Sequence, residues 1–311
     1  MKNFSIAIHG GAGTLVKGMM TPELEANYKA ALKGALDKGY TILKSGGSAT
    51  EAVEMAVVAL EDSPLFNAGK GSVFTAEGSH EMDAAIMDGK SLNAGAVSLI
   101  TGIKNPISLA RDVMEKSEHV FLAGEGALQF AKQLNYKIED PAYFYDEFRH
   151  KQWLEIKNTD SFQLDHSVKK DSKFGTVGAV ACDQNGNIAA ATSTGGMTNK
   201  RFGRVGDSPM IGSGNYANNK TCAISCTGSG EFFIRGVVAY DVACLMEHKN
   251  MSLADASNEV IHKRILEIGG DGGVIAVDTD GNIAMPFNTE GMYRASKSSK
   301  GKEELAIYKY N

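Results

Sequence analysis

The chain has 311 residues, of which 43% are hydrophobic, and its formal net charge is -5. This length and hydrophobic content suffice for a sizeable core, which excludes global disorder. Acidic and basic residues are interspersed without a basic stripe, so we expect no nucleic-acid partner. No apolar stretch approaches the ~18 residues of a membrane-spanning helix, and the N-terminus does not resemble a signal peptide. We therefore expect no membrane association and a cytoplasmic location.

The first half of the sequence predicts strands and helices in alternation. Phe4 to Ile8 is β-rich, and apolar residues then recur at helical spacing from Pro22 to about Ser45, with Thr21 as the expected N-cap. The other elements predicted here are a helix from Thr50 to Leu60, strands from Met82 to Met87 and from Ala94 to Leu99, and helices from about Ile107 to Glu115 and from Glu125 to Gln133.

The periodicity ends at about residue 139. Aromatic residues cluster in "PAYFYDEF", one or two helical turns surround Trp153, and "KNTDSFQLDHSVKKDSK" has no sustained period. We therefore predict a flexible linker within the chain, spanning about 139–175.

The second half contains an internal repeat. "DQNGNIAAATSTGGM" and "DTDGNIAMPFNTEGM" align without a gap, and each follows an apolar strand and predicts a hairpin. Between them lie a strand, "TCAISCTG", and two helices, from about Glu231 to Met246 and from Leu253 to Glu267. This order favours an α+β fold in which two antiparallel sheets pack face to face with helices outside. It disfavours a doubly wound parallel sheet.

The cysteines and histidines give little indication of a metal site or a histidine-based triad. Cys222 and Cys226 share one face of a strand that offers too few other ligands for zinc, so buried thiols are favoured. No H-E-x-x-H or G-x-S-x-G motif occurs, and no histidine lies in the β-rich region that contains Thr176. The segment "HGGAG", from His9 to Gly13, lacks phosphate-loop spacing, so we interpret it as a tight turn beneath an active site, with a phosphate loop as the alternative.

Threonines mark the strand ends of the second half. Thr176 begins a strand in "KFGTVGAV", Thr194 ends the next strand and Thr227 ends another. A threonine hydroxyl is a weak nucleophile until a base removes its proton, and a free α-amino group on the same residue can be that base. Such a group exists only if the bond between Gly175 and Thr176 is cut. Three features favour this role over that of an ordinary β-branched strand residue. Gly175 permits a strained backbone, the linker before it can be released, and other hydroxyls end nearby strands.

Two further segments offer groups for a substrate. In "NKRFGRVGDSP", the Arg204 guanidinium can bind a carboxylate and the Asp207 carboxylate can bind an ammonium, which suits an amino acid; a surface ion pair is the alternative, and Arg201 is a rival for the anion. In "CTGSGE", Gly228 and Gly230 stand at a strand-to-helix junction. With the Thr227 hydroxyl, their N–H groups suit an oxyanion hole, or alternatively a phosphate cradle.

Several long motifs carry a family resemblance. "HGGAG", "PLFNAGKGSVFT", "GTVGAVACDQNGNIAAATSTGGMTNKRFGRVGDSPMIGSGNYANN", "SCTGSGE" and "PFNTEGMYRA" follow one another in that order. The sequence thus resembles the plant-type asparaginases, or isoaspartyl peptidases, of the N-terminal-nucleophile hydrolases. The resemblance implies a single 1–311 domain with a four-layer αββα sandwich. It also implies autocleavage into an α subunit, 1–175, and a β subunit, 176–311, and assembly as a dimer of αβ heterodimers.

The resemblance also implies roles for individual residues. Cleavage between Gly175 and Thr176 makes Thr176 the nucleophile, with its own amino group as base. The residues implied to assist it are Thr194, which tunes the hydroxyl, Asn67, which bonds the freed amino group, and Thr227 and Gly228, which stabilise the oxyanion. Those implied to bind substrate are Arg204 at the α-carboxylate, Asp207 at the α-amino group, and Thr227, Gly228 and Gly230 along the pocket.

No cofactor is implied for catalysis, but a structural sodium ion is. Its implied ligands are the backbone carbonyls near Leu60, Ser63, Phe66, Ala68 and Lys70. The additional Arg201 and Phe202 in the substrate loop leave the fine substrate preference open, and the last residues, "KSSKGKEELAIYKYN", are expected to form a short tail.

The sequence therefore predicts an amidohydrolase for L-asparagine and β-aspartyl dipeptides, with small-molecule and dipeptide substrates as its partners. One alternative is a glycosylasparaginase-like hydrolase of the same fold. The other is a non-catalytic binder of small anions or nucleotides built on "HGGAG" and "CTGSG".

Overall fold

The computed structural model describes residues 3–157 and 175–309, and every element below lies in these two ranges. The strands are β1 (Ser5–Gly13), β2 (Met82–Asp88), β3 (Ala94–Ile100), β4 (Phe121–Ala123), β5 (Val177–Cys182), β6 (Ile188–Thr194), β7 (Asn215–Ala217), β8 (Cys222–Gly228), β9 (Gly272–Asp278), β10 (Ile283–Ala284), β11 (Gly291–Ser298) and β12 (Glu303–Tyr308).

The helices flank these strands in the sequence. They are α1 (Pro22–Lys44), α2 (Ala49–Glu61), α3 (Pro106–Lys116), α4 (Gly124–Gln133), α5 (Glu147–Ile156), α6 (Gly230–Gly236), α7 (Val238–Lys249), α8 (Leu253–Glu259) and α9 (Ile265–Glu267), with short 3₁₀ turns at Gly69–Gly71 and Pro141–Tyr143. Among the described helices, none has the length and apolar content needed to cross a bilayer.

The strands of the described ranges form two sheets. The larger has the order β12-β11-β1-β5-β6-β2-β3-β4 and the smaller the order β10-β9-β8-β7. Neighbouring strands are antiparallel throughout, except that β4 runs parallel to β3. Strands β5 and β6 therefore lie in the interior of the larger sheet, where a side chain at a strand end is held on both sides.

Alternation along the strands divides the core between the two faces of each sheet. On β1, Ile6 and Ile8 pack towards α1 and α2, whereas Ala7 packs towards the smaller sheet. Small side chains such as Ala190 and Ala223 fill the space between the sheets, and α7 and α8 pack against the other face of the smaller sheet. The fold is therefore mixed α and β, with helices packed on both sheets, and Cys222 and Cys226 are buried thiols as predicted.

The predicted elements of the first half are confirmed within a few residues. Helix α1 begins at Pro22 because Thr21 caps it: the Thr21 hydroxyl accepts a hydrogen bond from Leu24 N at 3.2 Å. Local signals suffice here because the cap and the apolar spacing lie within the same segment.

The prediction for "HGGAG" was wrong. These residues are not a turn but the second half of β1, with a bulge between His9 and Gly11. A Cβ atom at Gly10 would lie 2.4 Å from the Phe66 ring, so this glycine admits an aromatic ring rather than reversing the chain.

Two predicted helices of the second half are interrupted. Val237, with φ of 46°, separates α6 from α7, and a π-helical stretch, Val260–Arg264, separates α8 from α9. The predicted C-terminal tail also differs: Glu303–Tyr308 forms β12 and pairs with β11 at the edge of the larger sheet.

The first part of the predicted linker contains helical structure. Pro141–Tyr143 forms a 3₁₀ turn and Glu147–Ile156 forms α5. Trp153 is buried and stacks on Phe74, with ring centroids 5.6 Å apart, and this burial anchors α5 to the fold. The remainder of the predicted linker, 158–174, lies outside the described residues.

Candidate active site

Gly175 and Thr176 lie directly before β5, in the interior of the larger sheet. Thr176 is 6% exposed, and its Oγ1 lies 3.2 Å from the Ser208 hydroxyl. Both residues line a cavity whose other walls are Thr194, Gly196, Met197, Arg204, Gly206, Asp207, Ser208 and Gly228. The cavity holds about 30 Å³, which is the volume of about one water molecule.

Arg204 lines this cavity, and its guanidinium is paired with Glu231, which does not line it. Its Nε and Nη2 donate to the two carboxylate oxygens of Glu231, each at 2.9 Å. Burial raises the pKa of Glu231, but the hydrogen bonds and charge of Arg204 outweigh this and lower it. Arg204 thus binds a carboxylate in bidentate geometry, which shows that its guanidinium is oriented to bind such a group.

Asp207 presents an unsatisfied carboxylate oxygen beside Arg204. The residue is buried, and its Oδ2 has no hydrogen-bond partner among the residues that the structure describes. Burial raises the pKa of this carboxyl to about 7, against the lowering effect of the Arg204 charge. An ammonium group would satisfy the oxygen and stabilise the charged form.

Gly230 allows the start of α6 to approach both of these side chains. A Cβ atom at this position would lie 2.9 Å from Arg204 Nη2 and 3.0 Å from Asp207 Oδ1. A side chain here would shift the two groups, so the space available, and not the backbone conformation, favours glycine at this position.

Thr227 and Gly228 lie at the end of β8, beside the predicted cleavage bond. The fully buried Thr227 Oγ1 accepts a hydrogen bond from Ala12 N at 3.2 Å and lies 3.4 Å from the Cβ position of Gly175. The bond from Ala12 uses one of the two lone pairs of this hydroxyl and does not use its proton, which can be donated to an acceptor near Gly175.

Thr194 and Asn67 hold the turn that forms one wall of the cavity. Thr194 Oγ1 accepts from Gly196 N at 3.0 Å, and Asn67 Nδ2 donates to Gly196 O at 2.7 Å. Asn67 Oδ1 accepts from Val73 N at 3.0 Å. The structure thus brings Thr194 to the cavity wall beside Thr176, whereas Asn67 contacts the turn behind it.

The loop after α2 concentrates backbone carbonyls. The carbonyls of Leu60, Phe66 and Ala68 accept bonds from the N–H groups of residues 63, 68 and 71. A Cβ atom at Gly71 would lie 2.1 Å from Phe66 O and 2.6 Å from Pro64 O, so two carbonyl oxygens converge at this glycine. Within the described residues, no group of three or more His, Cys, Asp and Glu side chains could hold a metal ion.

The additional residues of the substrate loop differ in exposure. Phe202 is fully exposed and has φ of 57°, whereas Arg201 is half-buried. Phe202 does not line the cavity, so any effect of this ring on a ligand requires the ligand to extend beyond it.

Sequence reasoning missed three residues of this region, Ser208, Glu231 and His9. Ser208 and Glu231 lie within the segments "NKRFGRVGDSP" and "CTGSGE", but their roles depend on which side chains contact them in the fold. His9 Nδ1 lies 3.1 Å from Thr176 O, although no histidine was expected near Thr176. Burial lowers the pKa of His9 to about 3, so the ring is neutral, and it faces the carbonyl rather than the hydroxyl of Thr176.

The fold and the cavity first define a class. This is a mixed α/β protein in which a threonine hydroxyl shares one cavity with an arginine and a carboxylate suited to an amino acid. A family model described as asparaginase matches residues 2–307. The sequence is 50% identical to the isoaspartyl peptidase of Salmonella typhimurium, with 95% of each chain covered.

Two further relatives are more distant. The isoaspartyl peptidase/L-asparaginase of Xenopus laevis is 46% identical, over 92% of this chain and 90% of the relative. The plant-type L-asparaginase of Thermococcus kodakarensis is 43% identical, over 97% and 99%. The chain therefore belongs to the asparaginase family and is a hydrolase, which confirms the resemblance seen in its motifs.

Proposed function

We propose that this protein hydrolyses the side-chain amide of L-asparagine and the β-peptide bond of isoaspartyl dipeptides. The relatives carry these activities in their names. The observation that carries the proposal is one cavity that Thr176, Arg204 and Asp207 line together. Both substrates present a free α-carboxylate and α-amino group, for which these two charges are complementary.

The nucleophile is made by cleavage of the chain. The Thr176 hydroxyl attacks the Gly175 carbonyl, the peptide bond to the Thr176 nitrogen breaks, and water hydrolyses the resulting ester. The products are a subunit ending at Gly175 and one beginning with the free amino group of Thr176. The Thr227 hydroxyl supports this step because it lies beside Gly175 with its proton available for the oxyanion.

The hydrolysis of substrate then uses the same groups. Arg204 binds the α-carboxylate and Asp207 the α-amino group, which places the side-chain carbonyl carbon at the Thr176 hydroxyl. The Thr176 amino group takes the hydroxyl proton and passes it to the departing ammonia or amino acid. Thr227 and the N–H of Gly228 stabilise the oxyanion, Gly230 lines the pocket, and water releases aspartate from the acyl-enzyme.

Thr194 and Asn67 support the new terminus in this scheme. Thr194 tunes the nucleophile from the cavity wall. Asn67 bonds the freed amino group, for which its Oδ1 has a second lone pair beside the one used by Val73 N. The bond that Asn67 Nδ2 donates to the Gly196 carbonyl also holds its side chain against the turn that forms the cavity wall.

The finer architecture belongs to the same proposal. The packing of α1 and α2 on one sheet, of small residues between the sheets and of α7 and α8 on the other sheet supports a four-layer αββα sandwich. We also propose a dimer of αβ heterodimers and a sodium ion held by the carbonyls near Leu60, Ser63, Phe66, Ala68 and Lys70. The convergence of carbonyls at Gly71 supports such a loop.

The test compares Thr176→Ala with Thr176→Ser. The alanine variant should stay a single chain and release no ammonia from asparagine, whereas the serine variant, which keeps a hydroxyl, should cleave and retain measurable activity. Denaturing electrophoresis and ammonia release measure the two outcomes. A cleaved and active Thr176→Ala protein would contradict the mechanism.

A further inference from the structure

A chain of buried polar side chains crosses between the two sheets and ends at the Thr176 carbonyl. Asn215 on β7, Thr192 on β6, Ser225 on β8 and His9 on β1 are all fully buried. Asn215 Nδ2 lies 3.0 Å from Thr192 Oγ1, which lies 2.7 Å from Ser225 Oγ. Ser225 Oγ lies 3.0 Å from His9 Nε2, and His9 Nδ1 lies 3.1 Å from Thr176 O.

The direction of this chain follows from its two ends. A backbone carbonyl only accepts, so the His9 Nδ1 must carry the proton that it shares with Thr176 O. Because burial keeps the ring neutral, Nε2 has a lone pair and Ser225 donates to it. Thr192 then donates to Ser225, and the Asn215 amide donates to Thr192. Every hydroxyl proton in the series then has an acceptor, and aligned bonds of this kind strengthen one another.

The opposite direction of donation along these side chains would require a buried charged histidine. If Ser225 donated to Thr192, and Thr192 to Gly214 O at 3.3 Å, then Nε2 would have to donate to Ser225. With Nδ1 also donating to Thr176 O, the ring would be a fully buried imidazolium, which burial opposes. If Nδ1 instead lost its proton, its lone pair would face that of the carbonyl.

Strand β5, next to β1, leaves space for this series of hydrogen-bonded side chains. Gly178 lies opposite His9 in the register of β1 and β5. A Cβ atom there would lie 2.0 Å from Ser225 Oγ and 2.5 Å from His9 Nε2. Any side chain at 178 would therefore displace the link between Ser225 and His9.

We propose that His9, oriented by Ser225, Thr192 and Asn215, is a positioning residue that holds the Thr176 carbonyl and thereby orients the nucleophile. The inference rests on the proposed role of Thr176. Cleavage removes the peptide link from Thr176 to Gly175, and a chain end frays unless it is tied down. The Nδ1–H bond fixes the peptide plane that follows Thr176, and so restrains the residue when its other covalent tether is lost.

The first test separates the two nitrogens of the ring. His9→Asn can place an amide donor near the position of Nδ1, whereas His9→Gln can accept from Ser225 near the position of Nε2 but loses the donor to Thr176. Both remove the buried ring and should lower the melting temperature alike. We expect His9→Gln to lower kcat by roughly 10²-fold, the scale of a 1 Å misplacement, and His9→Asn to retain several times more, with KM little changed in both. Equal losses of kcat that follow the melting temperature would overturn the proposal.

The second test does not depend on activity. ¹⁵N-labelled histidine in the Thr176→Ala protein reports the state of His9 by NMR, since that protein keeps the same carbonyl. We expect a neutral ring protonated on Nδ1 from pH 5 to pH 8. An Nε2-protonated ring or an imidazolium would refute the chain of bonds. Activity of Thr176→Ala, in contrast, would refute the proposed nucleophile and leave the ring assignment intact.

Discussion

Glu231 is hydrogen-bonded to the Arg204 guanidinium, which is proposed to bind the substrate carboxylate. Removing the Glu231 carboxylate should therefore strengthen substrate binding. The two bonds between Arg204 and Glu231 are each 2.9 Å long, and a substrate carboxylate has to displace them. Glu231→Gln removes the competing charge at nearly constant volume. The effect should fall on KM, because Glu231 contacts the guanidinium and not the Thr176 hydroxyl.

The expected size follows from the exposure of the pair. The side chain of Glu231 is 51% exposed and that of Arg204 is 20% exposed, so solvent screens the pair and its contribution is roughly 0.5–1 kcal/mol. Removing this competitor should lower KM for asparagine by about two- to fivefold. The same factor should apply to an isoaspartyl dipeptide, which carries the same α-carboxylate.

Steady-state release of ammonia from asparagine provides the assay. The matched control is Asp241→Asn, which removes a comparable arginine–carboxylate pair, Arg264 with Asp241 at 2.7 Å, outside the residues that line the cavity. Its KM should equal that of the unmodified protein. A higher KM in Glu231→Gln would refute the reasoning, because it would show that Glu231 orients the guanidinium for substrate rather than competing with it.

Three further predictions concern groups in or near the core. Asp207→Asn should raise KM roughly 30-fold or more, since losing one partner of a buried charge pair costs about 2 kcal/mol or more. Because burial raises the Asp207 pKa to about 7, kcat/KM of the unmodified protein should fall as the pH drops below that value. An equally steep fall in Asp207→Asn would contradict this. Burial raises the pKa of Glu61 to about 8 from 4.5, so the folded state binds more protons than the unfolded state between these values. The free energy of unfolding should therefore decrease from pH 4.5 to pH 8. Urea denaturation should show a shallower decrease in Glu61→Gln, and an unchanged dependence of this free energy on pH would exclude Glu61 as its cause. Gly10→Ala should cost roughly 1–3 kcal/mol of stability because its methyl group meets the Phe66 ring, and a melting temperature equal to that of the unmodified protein would show that the ring can move aside.

Local signals predicted the parts of the fold that depend on neighbours in sequence. Thr21 and the spacing of apolar residues located α1, an apolar run located β5, and strand alternation located β8. Strand β12 was missed because it pairs with β11 at the edge of the larger sheet, which no local signal shows. The helical turns predicted around Trp153 are confirmed as α5, but the sequence did not show that Phe74, far away in sequence, holds this helix. Propensity alone cannot supply such contacts.

The same division holds for the site. The motif residues Thr176 and Thr194, at adjacent strand ends, line one cavity with Arg204 of the substrate loop. His9 was misinterpreted because its partner is 167 residues away, and a histidine beside two glycines indicates a turn as readily as a strand. The pairing of Arg204 with Glu231 likewise depends on how α6 lies against the substrate loop.

The central claim is that one peptide bond must break to create the catalyst. Mass spectrometry of the purified protein under denaturing conditions, with sequencing of the second fragment, tests it most directly. We expect two chains, one ending at Gly175 and the other beginning at Thr176. A chain that stays intact on long incubation yet hydrolyses asparagine would contradict the account.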